Sequence, residues 1–321
     1  MEVRKVNGFF IIFVIGYIGL SVVCASIMAY AQNSGIAVPD WIQYVMSEGI
    51  ILLIAIIYMI VQKIDPIREI PYKRIGIVDV ILSLVAGYCL IPAVLLISNL
   101  SMLFSTNYLE EGTTTLLTYP FAMQVILLAV IPPLVEELIF RGIFFGSYRK
   151  AGMTGAALMS GLLFGCFHLN INQALYAFVM GIVFAYMVEA TGSLWSSVIA
   201  HFAVNTYSIG IVQILKMAGM YAQDGSVSET FENAESVAGQ STAITVVQIA
   251  MIAVIAAVFM MLAVLCIRTM AKRHGNLEKM KIQNVKLSHI KNYFTAPVIV
   301  GIVVCVMSVS YTHLRAHETL M

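Results

Sequence analysis

Charge is what this sequence has least of: 11% of its 321 residues are Asp, Glu, Lys or Arg, while 60% are hydrophobic. A soluble domain usually carries about 25% charged residues. That deficit excludes a water-soluble globular fold, and a formal net charge of +1 gives no reason to expect a nucleic-acid partner. Cysteine is also scarce. Cys24, Cys89, Cys166, Cys266 and Cys305 all lie inside apolar runs without CxxC spacing, which leaves packing rather than a disulfide framework or a zinc knuckle. No internal repeat recurs at a fixed period, so neither a solenoid nor a simply duplicated transporter is indicated.

What the chain has instead is long apolar runs. The candidates are 8–31, 44–62, 76–99, 119–148, 153–169, 171–190, 193–215 and 242–267, with a shorter run at 294–309. About 20 residues of helix cross a hydrocarbon core of about 30 Å. The expected fold is therefore all-α, a polytopic transmembrane bundle of eight spans plus a truncated ninth. The first run is too long for a signal-peptide core and is read as a retained span.

Loop charge sets the expected orientation. Most of the 18 Lys and Arg fall on one side if every run crosses once: Arg4 and Lys5, Lys63 to Arg74, Arg149 and Lys150, and the stretch 268–291. The opposite loops carry Asp40, Glu110, Glu111, Asp224, Glu229, Glu232 and Glu235. The positive-inside rule then places the N-terminus in the cytoplasm, with 216–241 as an extracytoplasmic loop and 268–291 beside anionic lipid.

Against this background, the run from 119 to 148 contains Glu136, Glu137 and Arg141. An ionisable group at mid-membrane costs roughly 2.5–3.5 kcal/mol even on gentle insertion scales, so it is a functional-site hypothesis by default. Glu137 and Arg141 are four apart and can neutralise each other along one helix face, a supporting role. Glu136 points about 100° away and is left to meet another helix. Pro132 and Pro133 are expected to kink the helix and free backbone carbonyls, which is tolerated only beside protein or a wet cavity.

Two histidines, His168 and His201, lie within apolar runs, and His201 shares a helix face with Asn205. Counted at about 1.5 Å per residue, Glu136, His168, His201 and Asn205 fall at similar depth. A carboxylate facing a histidine is the minimum equipment for activating water, and a histidine with an amide can donate to a developing oxyanion. No serine or cysteine stands at a nucleophile's spacing to these groups. Gly161-x-x-x-Gly165 reads as a close helix contact.

Three motifs carry a resemblance. Glu136-Glu137-Leu138-Ile139-Phe140-Arg141 fits EExxxR, Phe164-Gly165-Cys166-Phe167-His168 fits FxxxH, and His201-Phe202-Ala203-Val204-Asn205 fits HxxxN. Over about 119–210 the chain resembles the CPBP family of intramembrane proteases, which includes the type II CAAX prenyl endopeptidases and the bacterial Abi proteins. The resemblance implies that Glu136 and His168 activate water, and that His201 and Asn205 stabilise the tetrahedral intermediate.

The family is commonly called a metalloprotease family, although HExxH is absent here. A zinc held by Glu136, His168 and His201 is chemically allowed; a metal-free glutamate mechanism uses the same residues and is the expectation. Where eukaryotic prenyl endopeptidases often carry a second histidine shortly after the first, this chain has Asn170 and Asn172. A bacterial peptide or bacteriocin-type substrate is therefore expected rather than a prenylated CAAX protein, with membrane lipid and the peptide as partners.

The chain divides into N-terminal transmembrane helices (1–118), a catalytic core of four helices (119–215), the loop 216–241, C-terminal helices (242–308), and a tail (309–321) that reads as non-native. The expected activity is hydrolysis of a peptide bond at a cavity reached from the cytoplasmic side. The rival readings are a non-catalytic scaffold, immunity or regulatory protein that keeps these residues for packing, and a proton-coupled transporter with Glu136 and His168 as a relay.

Overall fold

A computed structural model describes residues 3–103, 119–219, 242–281 and 291–319, with side chains described except at 242–246 and 310–319. The acidic residues of 104–118 and 220–241, together with Lys286 and His289, lie outside the described residues. Among the described residues nine principal helices follow the apolar runs: α1 (Val3–Asn33), α2 (Trp41–Val61), α3 (Ile77–Ser101), α4 (Phe121–Ala151), α5 (Met153–Phe167), α6 (Ile171–Thr191), α7 (Trp195–Met217), α8 (Thr242–Arg273) and α9 (Ala296–Thr319). Among the described residues there is no strand.

Seven of these helices are long and apolar enough to cross a membrane; α5, with 15 residues, and the described apolar part of α9, Ala296–Val309, are shorter. At about 1.5 Å per residue, α5 reaches only about 22 Å. The helix in the expected span 153–169 is therefore shorter than a hydrocarbon core of about 30 Å. Leu169 takes a positive φ of 51° and Asn170 caps α6, accepting from Gln173 N at 3.2 Å, so the chain reverses within three residues of His168. Helix α9 runs through residue 309, where the sequence suggested that the native chain ends.

α6 lies at the centre, packed against α3, α5, α7 and α8, while α1 and α2 pair beside α4 and α9. Small residues permit the closest contacts. A Cβ on Gly161 would lie 2.7 Å from Phe178 O and one on Gly165 2.5 Å from Ala174 O, so both glycines are places where α5 and α6 touch backbone to backbone. Gly87 of α3 likewise leaves room for Ala200 O of α7, where a Cβ would stand 2.5 Å away.

The two ends of the bundle differ in charge. One end gathers the start of α3, α5, α7 and α9 and the end of α2, α4, α6 and α8. There Asp79 binds Arg273 at 3.2 Å and His274 at 3.0 Å, Arg149 pairs with Glu189, and Asn7 is held by Tyr148 at 2.7 Å and by Asn292 O at 2.8 Å. Lys63, Lys73, Arg74, Lys150 and Lys279 stand at this end. Polar ties between helix termini thus close the bundle where the basic residues collect.

Candidate active site

Both prolines of α4 change its hydrogen bonding. Pro132 and Pro133 have no N–H, so the carbonyl of Leu128 loses the donor four residues on and the donor five residues on. The preceding segment Val125–Val130 widens into a π-helical turn, and Asn205 Nδ2 of α7 donates to Leu128 O at 2.9 Å. The freed carbonyl is thus satisfied by protein, as the two prolines required. Asn205, expected to serve an oxyanion, also pins the kink of α4.

Beyond the prolines, Ile131–Glu137 is α-helical and Leu138–Phe145 is again π-helical. Arg141 Nη1 donates to Glu137 Oε1 at 2.8 Å, with both side chains fully buried. The guanidinium carbon lies 4.3 Å from the centroid of Phe164 and 5.2 Å from that of Phe184. Gly181 makes space for it, since a Cβ there would come 3.1 Å from Nη2. Arg141 is therefore fixed by one carboxylate and two aromatic faces.

Glu137 does more than neutralise Arg141. Its Oε1 also accepts from His201 Nδ1 at 3.1 Å, while His201 Nε2 lies 3.7 Å from Glu136 Oε2. The division of labour expected from helix geometry, with only Glu136 facing the histidines, is thus incomplete: adjacent carboxylates reach opposite nitrogens of one ring. With Nδ1–H given to Glu137, Nε2 is the nitrogen that faces Glu136, and it donates only when the ring is doubly protonated. Glu137 is then its counter-ion, the part an orienting carboxylate plays beside a histidine.

His168 follows the last residue of α5. Its Nδ1 donates to Phe164 O at 2.8 Å, capping its own helix and leaving Nε2 with the lone pair. The Phe164 ring meets both histidines edge-on, at 4.7 Å from His168 and 5.9 Å from His201. Phe164 therefore sets the separation of the two imidazoles and also underlies Arg141.

Glu136, His168, His201 and Asn205 all line one cavity of about 460 Å³. The structure brings all four expected residues together. Among the described residues no three His, Cys, Asp or Glu side chains gather as a set able to hold a metal ion, so Glu136, His168 and His201 are not a ready three-ligand site in this arrangement.

The cavity extends from Glu136 and His201 past Leu127, Leu128, Tyr44 and Ser208, toward the end where α2, α4 and α6 begin and α7 finishes. That is the end away from the basic residues. The expected cytoplasmic access and the orientation expected from loop charge therefore do not go together, since that orientation turns this end out of the cytoplasm. Asn170 and Asn172 also gain definite structural work: Asn172 is buried and its Nδ2 donates to Ser101 Oγ at 2.7 Å and to Ser98 O at 3.1 Å, tying α6 to α3.

Residues missed from sequence also line the cavity, above all Glu48 of α2, with Tyr17, Tyr44 and Tyr176. Glu48 carried the same signal as Glu136, a carboxylate within an apolar run. Phe184 gave no signal, because its role depends on where α6 crosses Arg141.

Residues 118–207 match the family profile described as type II CAAX prenyl endopeptidase Rce1-like. The chain is 33% identical over 88 residues to a Bacillus subtilis (strain 168) protein named "Putative membrane peptidase YdiL", a stretch that is 27% of this chain and 36% of that relative. No solved structure matches significantly. The chain thus spans about a third of the length of that relative, and residues 1–117 and 208–321 lie outside the family match. Seven helices able to cross a bilayer and this match together make it a multi-pass membrane protein. Residues 118–207, which hold Glu136, His168, His201 and Asn205 of the cavity, are thus similar to the Rce1-like membrane proteases of the CPBP family.

Proposed function

We propose that the chain hydrolyses a peptide bond in this cavity, with Glu136 as general base and then general acid. Glu136 takes a proton from water as the oxygen attacks the peptide carbonyl, and returns it to the leaving amine as the C–N bond breaks. His168, with Nε2 as the lone-pair nitrogen, helps to hold that water. His201, oriented by Glu137, and the second N–H of Asn205 face the oxyanion. The observation that carries this reading is the His201 bridge, 3.1 Å to Glu137 and 3.7 Å to Glu136, in a cavity shared with His168.

The substrate we propose is a peptide of the bacterial membrane or its outer face rather than a prenylated CAAX tail. The cavity's position away from the basic end supports this, as does the use of Asn170 and Asn172 to build the α5–α6 turn. Residues 119–215 would form the catalytic core, set in the bacterial cytoplasmic membrane with the N-terminus inside.

The test is cleavage of a quenched-fluorescence apolar peptide library by purified protein in nanodiscs. General acid–base catalysis contributes about 10²–10⁴ in rate, so Glu136→Gln should lower turnover by that factor with the melting temperature kept. Equal cleavage by Glu136→Gln and the native chain would overturn the assignment.

A further inference from the structure

Glu48 stands on α2, outside the family-matched residues, yet it lines the same cavity as Glu136. The helix carrying it packs against the turn Ile131–Glu137. Its Oε2 is buried and has no hydrogen-bond partner among the described residues. A buried carboxylate oxygen without a donor is costly, and a second carboxylate nearby raises that cost.

The cavity wall offers no remedy. Among the described residues no Lys or Arg lines it, and its ionisable groups besides the two carboxylates are the two histidines and the tyrosines. His201 is already engaged with Glu137, His168 with Phe164 O, and Tyr17 with Ser47 at 3.0 Å. Tyr44 and Tyr176 add aromatic rings to the same wall, and aromatic faces attract cations. A carboxylate oxygen with no partner, among tyrosines and with no Lys or Arg on the wall among the described residues, is complementary to a cation brought from outside.

We infer that Glu48 is a specificity-determining residue that receives a cationic group of the substrate, a Lys or Arg side chain or a free N-terminal ammonium, beside the bond to be cut. The inference rests on the peptidase reading for the word substrate. It adds that the substrate is a basic peptide, and it makes α2 part of the binding site. The alternative use of Glu48, sharing a proton with Glu136, would affect every peptide alike.

The experiment measures binding to full-length Glu136→Gln protein in nanodiscs, where hydrolysis is suppressed. The probes are N-acetylated fluorescent apolar decapeptides that differ at one central position, Lys, norleucine or Glu, and the norleucine peptide with a free amine. We expect the Lys or free-amine peptide to bind at least about tenfold more tightly than acetylated norleucine, the scale of one charge-assisted contact. Adding Glu48→Gln should reduce that ratio to within about twofold, while Glu48→Asp should keep much of it.

Equal binding of all probes, no binding of any, or a preference that survives Glu48→Gln would overturn the inference. The ratio in protein with native Glu48 requires no further variant, so a Glu48→Gln chain that fails to fold does not shield the proposal. A lysine preference without cleavage by the native chain would sink the peptidase reading and leave this assignment of Glu48 standing.

Discussion

Asn205 Nδ2 donates to the carbonyl of Leu128 at 2.9 Å, and that carbonyl is the one that Pro132 and Pro133 deprive of a backbone donor. One residue of the HxxxN motif is therefore coupled to the prolines that precede EExxxR. A buried acceptor left without a donor costs about 1–3 kcal/mol, so Asn205→Leu should lower stability by that amount. Pro132→Ala restores an N–H four residues after Leu128 and should recover much of the loss in the double variant. Thermal unfolding of the four proteins in one detergent checks this, and strictly additive effects would show that the two sites are not coupled. Peptidase activity should stay low in the double variant, because the amide proposed for the oxyanion is still missing.

Glu137 holds two side chains at once, Arg141 at 2.8 Å and His201 at 3.1 Å. Removing one partner of a buried pair typically costs about 3–5 kcal/mol, whereas replacing both with apolar residues of similar volume is often neutral. Glu137→Leu alone should therefore unfold the protein readily, and Glu137→Leu with Arg141→Met should restore the melting temperature. The rescued protein should remain inactive, since His201 has lost the carboxylate that orients it. Rescue of both stability and activity would show that Glu137 serves packing alone.

The helices were legible because a span is written in composition: 20 apolar residues in a row have few other fates. Glu136, His168, His201 and Asn205 could be found because polar residues inside such runs are conspicuous and their depth follows from helical rise. What sequence could not supply was rotation. Two π-helical segments flank Glu136 and Glu137 and upset the 100° step, so that Glu137, assigned to Arg141, also reaches His201. The end of α5 was hidden as well, because Leu169 adopts a positive φ that its residue type does not advertise. Glu48 was visible by the rule that found Glu136 but lacked a motif to draw attention to it.

Gly87 and Gly165 separate stability from site geometry. A Cβ on Gly165 would meet Ala174 O at 2.5 Å, and one on Gly87 would meet Ala200 O at 2.5 Å, immediately before His201. Overpacking costs typically about 1–3 kcal/mol, so both alanine variants should melt lower. Gly87→Ala should also displace His201 from Glu136 and Glu137, and a misplacement of about 1 Å can cost about 10²-fold in rate. The comparison is turnover at a temperature where both variants remain folded. A larger loss in Gly165→Ala would mean that the α5–α6 contact, through His168, controls the site more than α7 does.

Orientation decides which compartment the cavity serves. Ser34 and Lys279 lie at opposite ends of the bundle, Ser34 after α1 at the end toward which the cavity extends and Lys279 after α8 at the basic end. The positive-inside rule places the basic end in the cytoplasm. A membrane-impermeant maleimide added to intact cells should therefore label Ser34→Cys and leave Lys279→Cys unmodified until the membrane is opened, with the unsubstituted chain reporting any reaction of its five native cysteines. The reverse pattern would turn the cavity toward the cytoplasm. A peptide made in the cytoplasm could then reach Glu136 without first crossing the membrane, whereas the expected pattern requires a substrate that already spans the bilayer or has been exported.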